Sequence, residues 1–162
     1  MKVVVDAMGS DRAPGPEVAG ALRAVRANDV QVTLVGDAAR LDAELARAGR
    51  VDTDRIAVVH ASEVVTMHDH PGQAFRQKPD SSMRVAVARV ADGTGDAVVS
   101  AGNSGAMLAT SLFVLGHRIG WLRTAFAVLR RSRYRHSRRA CVLSYTRIGS
   151  SGSTVAAVNP CG

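Results

Sequence analysis

No aspartate, glutamate or lysine occurs after Gly116 in this 162-residue chain, and lysine is scarce throughout, with Lys2 and Lys78 as its only two copies. Cysteine is limited to Cys141 and Cys161, outside any CxxC spacing. That is too few for a disulfide framework and argues against a zinc site, so a reducing cytoplasm is the expected compartment. No run approaches the roughly 18 apolar residues of a membrane span. The opening Met1-Lys2-Val3-Val4-Val5-Asp6 meets a carboxylate too early for a signal peptide. Gly9 is the only glycine of the first loop, so no GxGxxG follows a strand, and there is no GK[ST]; nicotinamide enzymes and P-loop NTPases are disfavoured. No cysteine precedes Cys141 and no G-x-S-x-G is present, which excludes a cysteine acyl-enzyme or a nucleophile elbow in the first 116 residues.

The charge that is present divides unevenly. A formal net charge of +7 invites a nucleic-acid hypothesis, because clustered cations release counterions from a phosphate backbone. Residues 1–116, however, hold 12 of the 21 basic residues and all 14 acidic ones, a net of −2, whereas residues 117–162 hold nine arginines and no acid. The basic character belongs to the last part of the chain alone, and nucleic acid is not the expected partner of the body.

Up to Gly116, short β-rich runs alternate with helical stretches. Lys2 to Asp6 reads as a buried strand, and Pro16 opens a helix with an apolar stripe at Val18, Leu22 and Val25. Gln31 to Val35 is a second strand, followed by a helix capped by Asp37, striped by Leu41 and Leu45 and ended by Gly49. Ile56 to Val59 is a third strand. A short Pro71-led segment precedes a helix capped by Ser81, with Met83, Val87 and Val90 on one face and Gly93 at its end. Ala97 to Ser100 is a fourth strand, and Gly102 to Gly105 turns the chain into a helix running to about Leu115. The alternation implies parallel pairing with right-handed crossovers. The expected fold is therefore α/β, a three-layer Rossmann-like parallel sheet, incomplete, with an irregular C-terminal tail.

The tail, residues 117–162, lacks this order. Arg130-Arg131-Ser132-Arg133-Tyr134-Arg135-His136-Ser137-Arg138-Arg139 has no apolar period, and charged residues of one sign only are unlike globular composition. The expected division is an α/β body over 1–116 and a basic tail over 117–162, either translated out of register or serving as an arm for nucleic acid or anionic lipid.

In open parallel sheets ligands bind beyond the carboxyl ends of the strands, and the unusual polar residues of this chain collect there. The Gly102 to Gly105 loop is an anion-site candidate: glycines permit close backbone approach, the following helix offers unpaired N–H groups, and Asn103 and Ser104 add polar side chains. Its bland alternative is a tight turn capped by Ser104. Arg76 to Arg84, with Lys78, Ser81, Ser82 and Arg84, offers a second helix start beside cations, or merely a capped surface helix. His60 and Asp11 are candidates for proton transfer, although a strand-end histidine or a turn aspartate more often has a structural role.

Five segments together, Asp6-Ala7-Met8-Gly9-Ser10-Asp11-Arg12-Ala13-Pro14, Leu34 to Asp37, His60 to Glu63, Lys78 to Arg84 and Ser100 to Ala106, resemble the bacterial PlsX-type phosphate acyltransferases in order and spacing, from Val3 to Gly116. Three positions depart from that pattern: Ser10 and Pro79 stand where glycine and lysine are usual, and Ser104 replaces threonine while keeping the hydroxyl. The resemblance implies attack of orthophosphate on the thioester of an acyl carrier protein, giving an acyl phosphate for phospholipid synthesis, with no redox cofactor, metal or enzyme nucleophile. It assigns phosphate or oxyanion binding to Gly102, Asn103, Ser104, Gly105, Lys78, Ser81, Ser82 and Arg84, and orientation or proton handling to His60 and Asp11. It also implies a longer chain that forms a homodimer and meets carrier protein and membrane peripherally, so the 162-residue chain is expected to be truncated and of little turnover. The rival expectations are a phosphotransacetylase-like or dehydrogenase-like α/β enzyme with another small acidic substrate, and a module binding nucleic acid or anionic lipid through the arginine-rich tail.

Overall fold

The computed structural model describes residues 1–49 and 54–115 in full, and Thr53 and the strands Cys141–Ile148 and Ser153–Pro160 as backbone. The arginine-rich run from Arg130 to Arg139 lies outside the described residues.

The order is β1 (Lys2–Asp6), α1 (Gly15–Ala27), β2 (Gln31–Gly36), α2 (Ala38–Arg47), β3 (Ile56–His60), α3 (Pro71–Gln77), α4 (Ser82–Ala91), β4 (Ala97–Ser100), α5 (Ser104–Leu115), β5 (Cys141–Ile148) and β6 (Ser153–Pro160). The sheet runs β3-β2-β1-β4-β6-β5. β1 to β4 are parallel, and the register sets Asp6 against both Val35 and Ser100.

Side-chain alternation along the strands sorts the core into two faces. Val18, Ala21, Leu22 and Val25 of α1 and Leu41 of α2 bury against Val32 and Leu34. On the other face, Met83, Ala86, Val87 and Val90 of α4 and Ala106, Met107 and Leu115 of α5 bury against Val4, Val35 and Val98. Each fully buried aliphatic side chain contributes about 1.5–3 kcal/mol by leaving water. The three layers are thus the expected α/β architecture, with the apolar stripes of α1, α2 and α4 all turned to the sheet.

The helix ends follow local chemistry. Asp37 Oδ1 accepts the Arg40 N–H at 3.2 Å and caps α2, and Gly49 and Gly93 take positive φ where α2 and α4 end. Ser81 occupies the N-cap position of α4 as expected, but its hydroxyl makes no capping bond. Ser10, which stands where glycine is usual, fits the first turn without positive φ, since no described non-glycine residue has it.

Within the stretch where no regular unit was legible, β5 and β6 pair antiparallel and β6 lies parallel beside β4. Val142, Tyr145, Thr146 and Ile148 in one strand and Thr154, Val155 and Val158 in the other suit pleated pairing, a signal masked by the Ser- and Gly-rich composition around them.

Candidate functional site

The helices that follow β1 and β4 cover opposite faces of the sheet, so the crevice between these two strand ends is the point where the winding of the chain reverses. Two loops meet there without intervening side chains. A Cβ on Gly9 would stand 2.8 Å from the Gly102 nitrogen and 3.0 Å from Asp6 Oδ2, so only glycine allows the approach.

Beneath this contact lies Asp6, which points to the α4 and α5 face and is 1% exposed. Its Oδ1 accepts the Ser82 hydroxyl at 2.6 Å and the Met8 N–H at 3.3 Å; its Oδ2 accepts the Ser100 hydroxyl at 2.7 Å. Burial pushes the Asp6 carboxyl above the ordinary aspartate value, and the bonds from Ser82, Ser100 and Met8 oppose that shift. Ser100 Oγ in turn accepts the Gly102 N–H at 3.1 Å. Asp6 and Ser100 are absent from the site expected on sequence. The signal for Asp6 is a carboxylate whose strand parity sets it among buried residues.

Asn103, not Ser104, caps α5: its Oδ1 accepts the Ala106 N–H at 3.0 Å. Its amide donates to the carbonyls of Thr66, Met67 and Asp69 at 3.3, 3.4 and 3.0 Å, which ties the loop after β3 to the start of α5. No acceptor among the described residues takes the N–H groups of Ser104 and Gly105, the first two residues of α5. These are open donors at the positive end of a 12-residue helix.

Lys78 donates to Val64 O at 2.8 Å and to Asp69 Oδ2 at 2.5 Å. That ammonium, with the Thr66 N–H, holds the Asp69 carboxyl below its ordinary value. Asp69, which sequence reasoning missed, is therefore the node at which Lys78 and Asn103 meet. Arg84 donates to Phe75 O at 2.9 Å and lies over the Phe75 ring at 4.5 Å, and Phe75 stacks on Phe113 with ring centroids 4.7 Å apart. Lys78, Ser82 and Arg84 thus direct their polar atoms at protein groups.

Ser81 is buried, and the backbone from Asp80 to Ser82 runs beside Glu63 in a short parallel bridge. Asp80 Oδ2 accepts both the hydroxyl and the N–H of Ser62, at 2.6 and 2.8 Å, and these bonds hold its carboxyl below the ordinary value. His60 is exposed and its Nδ1 accepts the Ala38 N–H at 3.4 Å, at the start of α2. Asp11 is exposed in the Ser10–Ala13 turn and has no partner among the described residues. Neither residue bonds to the cluster around Asp6. No group of three or more His, Cys, Asp or Glu side chains able to hold a metal occurs among the described residues. None of their helices is long and apolar enough to cross a membrane.

A doubly wound α/β sheet defines the class of open-sheet α/β proteins, in which the crevice at the switch point is the general place for a ligand. Within that class the chain belongs to the fatty acid synthesis protein family, whose model matches residues 1–132, a range that continues past Gly116. It is 52% identical over 127 residues to a phosphate acyltransferase of Geotalea daltonii, covering 78% of this chain and 36% of that protein. It is 54% identical over 129 residues to the phosphate acyltransferase of Citrifermentans bemidjiense, and 49% identical over 127 residues to that of Koribacter versatilis. These matches cover 80% and 78% of this chain and 36% and 35% of the two relatives. The matched part spans about a third of the length of these relatives.

Proposed function

We propose that this chain carries the phosphate side of a phosphate acyltransferase site, in which orthophosphate and an acyl-[acyl-carrier-protein] thioester give an acyl phosphate and the free carrier thiol. A phosphate oxygen attacks the thioester carbonyl, a tetrahedral oxyanion forms, and the C–S bond breaks as the thiol leaves with a proton. The protein's task in such a step is to hold phosphate in line and to offset the charge building on the carbonyl oxygen. The open N–H groups of Ser104 and Gly105 are the observation that carries this reading, because uncommitted donors at a helix start bind a phosphate oxygen without desolvating a side-chain charge. The Ser104 hydroxyl adds a third donor. Asn103, Lys78 and Arg84 support it by fixing residues 64–69 and α3 around the loop, and Ser81 and Ser82 set the start of α4 beside it.

The test is titration of the 162-residue chain with inorganic phosphate, followed by amide nuclear magnetic resonance against sulfate at matched ionic strength. Saturable shifts centred on Ser104 and Gly105 are expected with phosphate. Shifts confined to arginine side chains, or none that saturate, would reject the reading. Hydroxylamine trapping of product from long-chain acyl-carrier protein, acetyl-CoA and phosphate then separates this acyl donor from a small one.

A further inference from the structure

Asp6 is a buried carboxylate with no cation beside it among the described residues. Every group that bonds it is neutral: the hydroxyls of Ser82 and Ser100 and the N–H of Met8. Desolvating a carboxylate without a counter-charge costs several kcal/mol, and an apolar side chain of similar size would fill the position at less expense. What Asp6 provides instead is connection. Ser82 is the first residue of α4, Ser100 is the last of β4, and Met8 lies in the loop leading to Gly9, so one side chain holds three segments distant in sequence. It also sets the direction of the next bond. With the Ser100 hydroxyl donating to the carboxylate, the Ser100 oxygen is left as an acceptor, and it takes the Gly102 N–H at 3.1 Å.

We propose that Asp6 is the positioning residue of the phosphate loop: through Ser100 it anchors the Gly102 N–H, holds Gly102 against Gly9, and so places the N–H groups of Ser104 and Gly105, which meet no acceptor among the described residues, at the rim of the crevice. The proposal rests on the reading of those two groups as phosphate donors, but the anchoring of Gly102 is measurable without phosphate.

The experiment follows amide hydrogen exchange and phosphate-induced shifts in the full chain and in Asp6→Asn, Ser100→Ala and Ser100→Thr. In Asp6→Asn, exchange at Gly102 and Met8 is expected to rise about tenfold or more, as for loss of a buried hydrogen bond, and phosphate affinity at Ser104 and Gly105 to fall by a similar factor. Ser100→Ala should release Gly102 but not Met8, and Ser100→Thr should restore Gly102. The Ala7 N–H, bonded to Val35 O at 2.9 Å in the sheet, reports whether the fold is intact. Unchanged exchange at Gly102 in Ser100→Ala, or unchanged phosphate affinity in Asp6→Asn with Ala7 still protected, overturns the proposal. Should Asp6→Asn fail to fold, the Ser100 pair decides alone. If the unsubstituted chain shows no saturable phosphate shift, the proposed function falls while the Gly102 exchange pattern still decides whether Asp6 positions the loop.

Discussion

Asp6 and Ser100 end neighbouring parallel strands directly opposite each other in register, and the Ser100 hydroxyl donates to the Asp6 carboxylate across the strand boundary at 2.7 Å. Both residues follow apolar strands and face the α4 and α5 layer, so the polar pair closes the hydrophobic core just where the sheet opens to the crevice.

Burial raises the Asp6 carboxyl, so the folded chain binds that proton more tightly than the unfolded chain does. The contribution of Asp6 to stability is then full below the ordinary aspartate value of about 3.9 and falls as pH rises from there through the raised value. Urea unfolding of the chain and of Asp6→Asn across this window should show the decline in the former and a flatter profile in the latter. Parallel profiles would exclude Asp6 as its source.

Gly9 and Gly20 should respond to alanine in opposite directions. At Gly9 the new methyl meets the Gly102 backbone, which cannot rotate away, and a loss of about 1–3 kcal/mol is expected from overpacking. At Gly20, exposed on α1 with nothing within 4 Å of the added carbon, a gain of about 0.5–1 kcal/mol is expected from helix propensity. Denaturation midpoints of the two variants check the contrast.

Ser111 lies buried in α5, and its hydroxyl has no partner among the described residues. Ser111→Ala removes an unsatisfied polar atom and improves helix propensity, so stability should rise by about 1 kcal/mol. A loss of that size, measured by thermal unfolding, would point to a partner for the hydroxyl.

Lys78→Gln should return the Asp69 carboxyl toward its ordinary value, as followed by carboxyl-carbon resonance titration. Because the Asp69 value is lowered in the folded chain, the pair's contribution is present above the ordinary aspartate value and is lost as pH falls through the lowered one. Both side chains are about a quarter exposed, so the stability change should be about 1 kcal/mol or less after solvent screening.

Element type was legible from residue pattern because each apolar stripe follows the period of its element. Val18, Leu22 and Val25 recur at helical spacing and bury on one face of α1. Asp37, Gly49 and Gly93 mark their helix ends through side-chain or backbone chemistry that acts within a few residues. The strand content of residues 141–160 was less legible, since short β-branched runs among serine and glycine are completed by pairing with β4.

The candidate site divides along the same line. The rim loops and the anion-suited turn at Gly102 to Gly105 were visible in sequence, because glycine, asparagine and serine at a strand-to-helix junction have few local roles. The use of each side chain was not. Lys78 reads as a free cation until Asp69 is placed beside it, and Ser82 as a phosphate donor until its hydroxyl is seen to donate to Asp6.

By itself the sequence determined the elements up to Leu115, the cap of α2 at Asp37, the parallel α/β order and the loops that form the rim, since all of these depend on periodicity and local backbone preference. The tertiary structure alone decided that, among the described residues, Asp6 is buried beside neutral donors only, that Gly9 touches Gly102, and that the Ser104 and Gly105 donors meet no acceptor. Those outcomes depend on which distant groups converge once the sheet is assembled, and a hydrogen bond spanning 94 residues leaves no periodic trace in the chain.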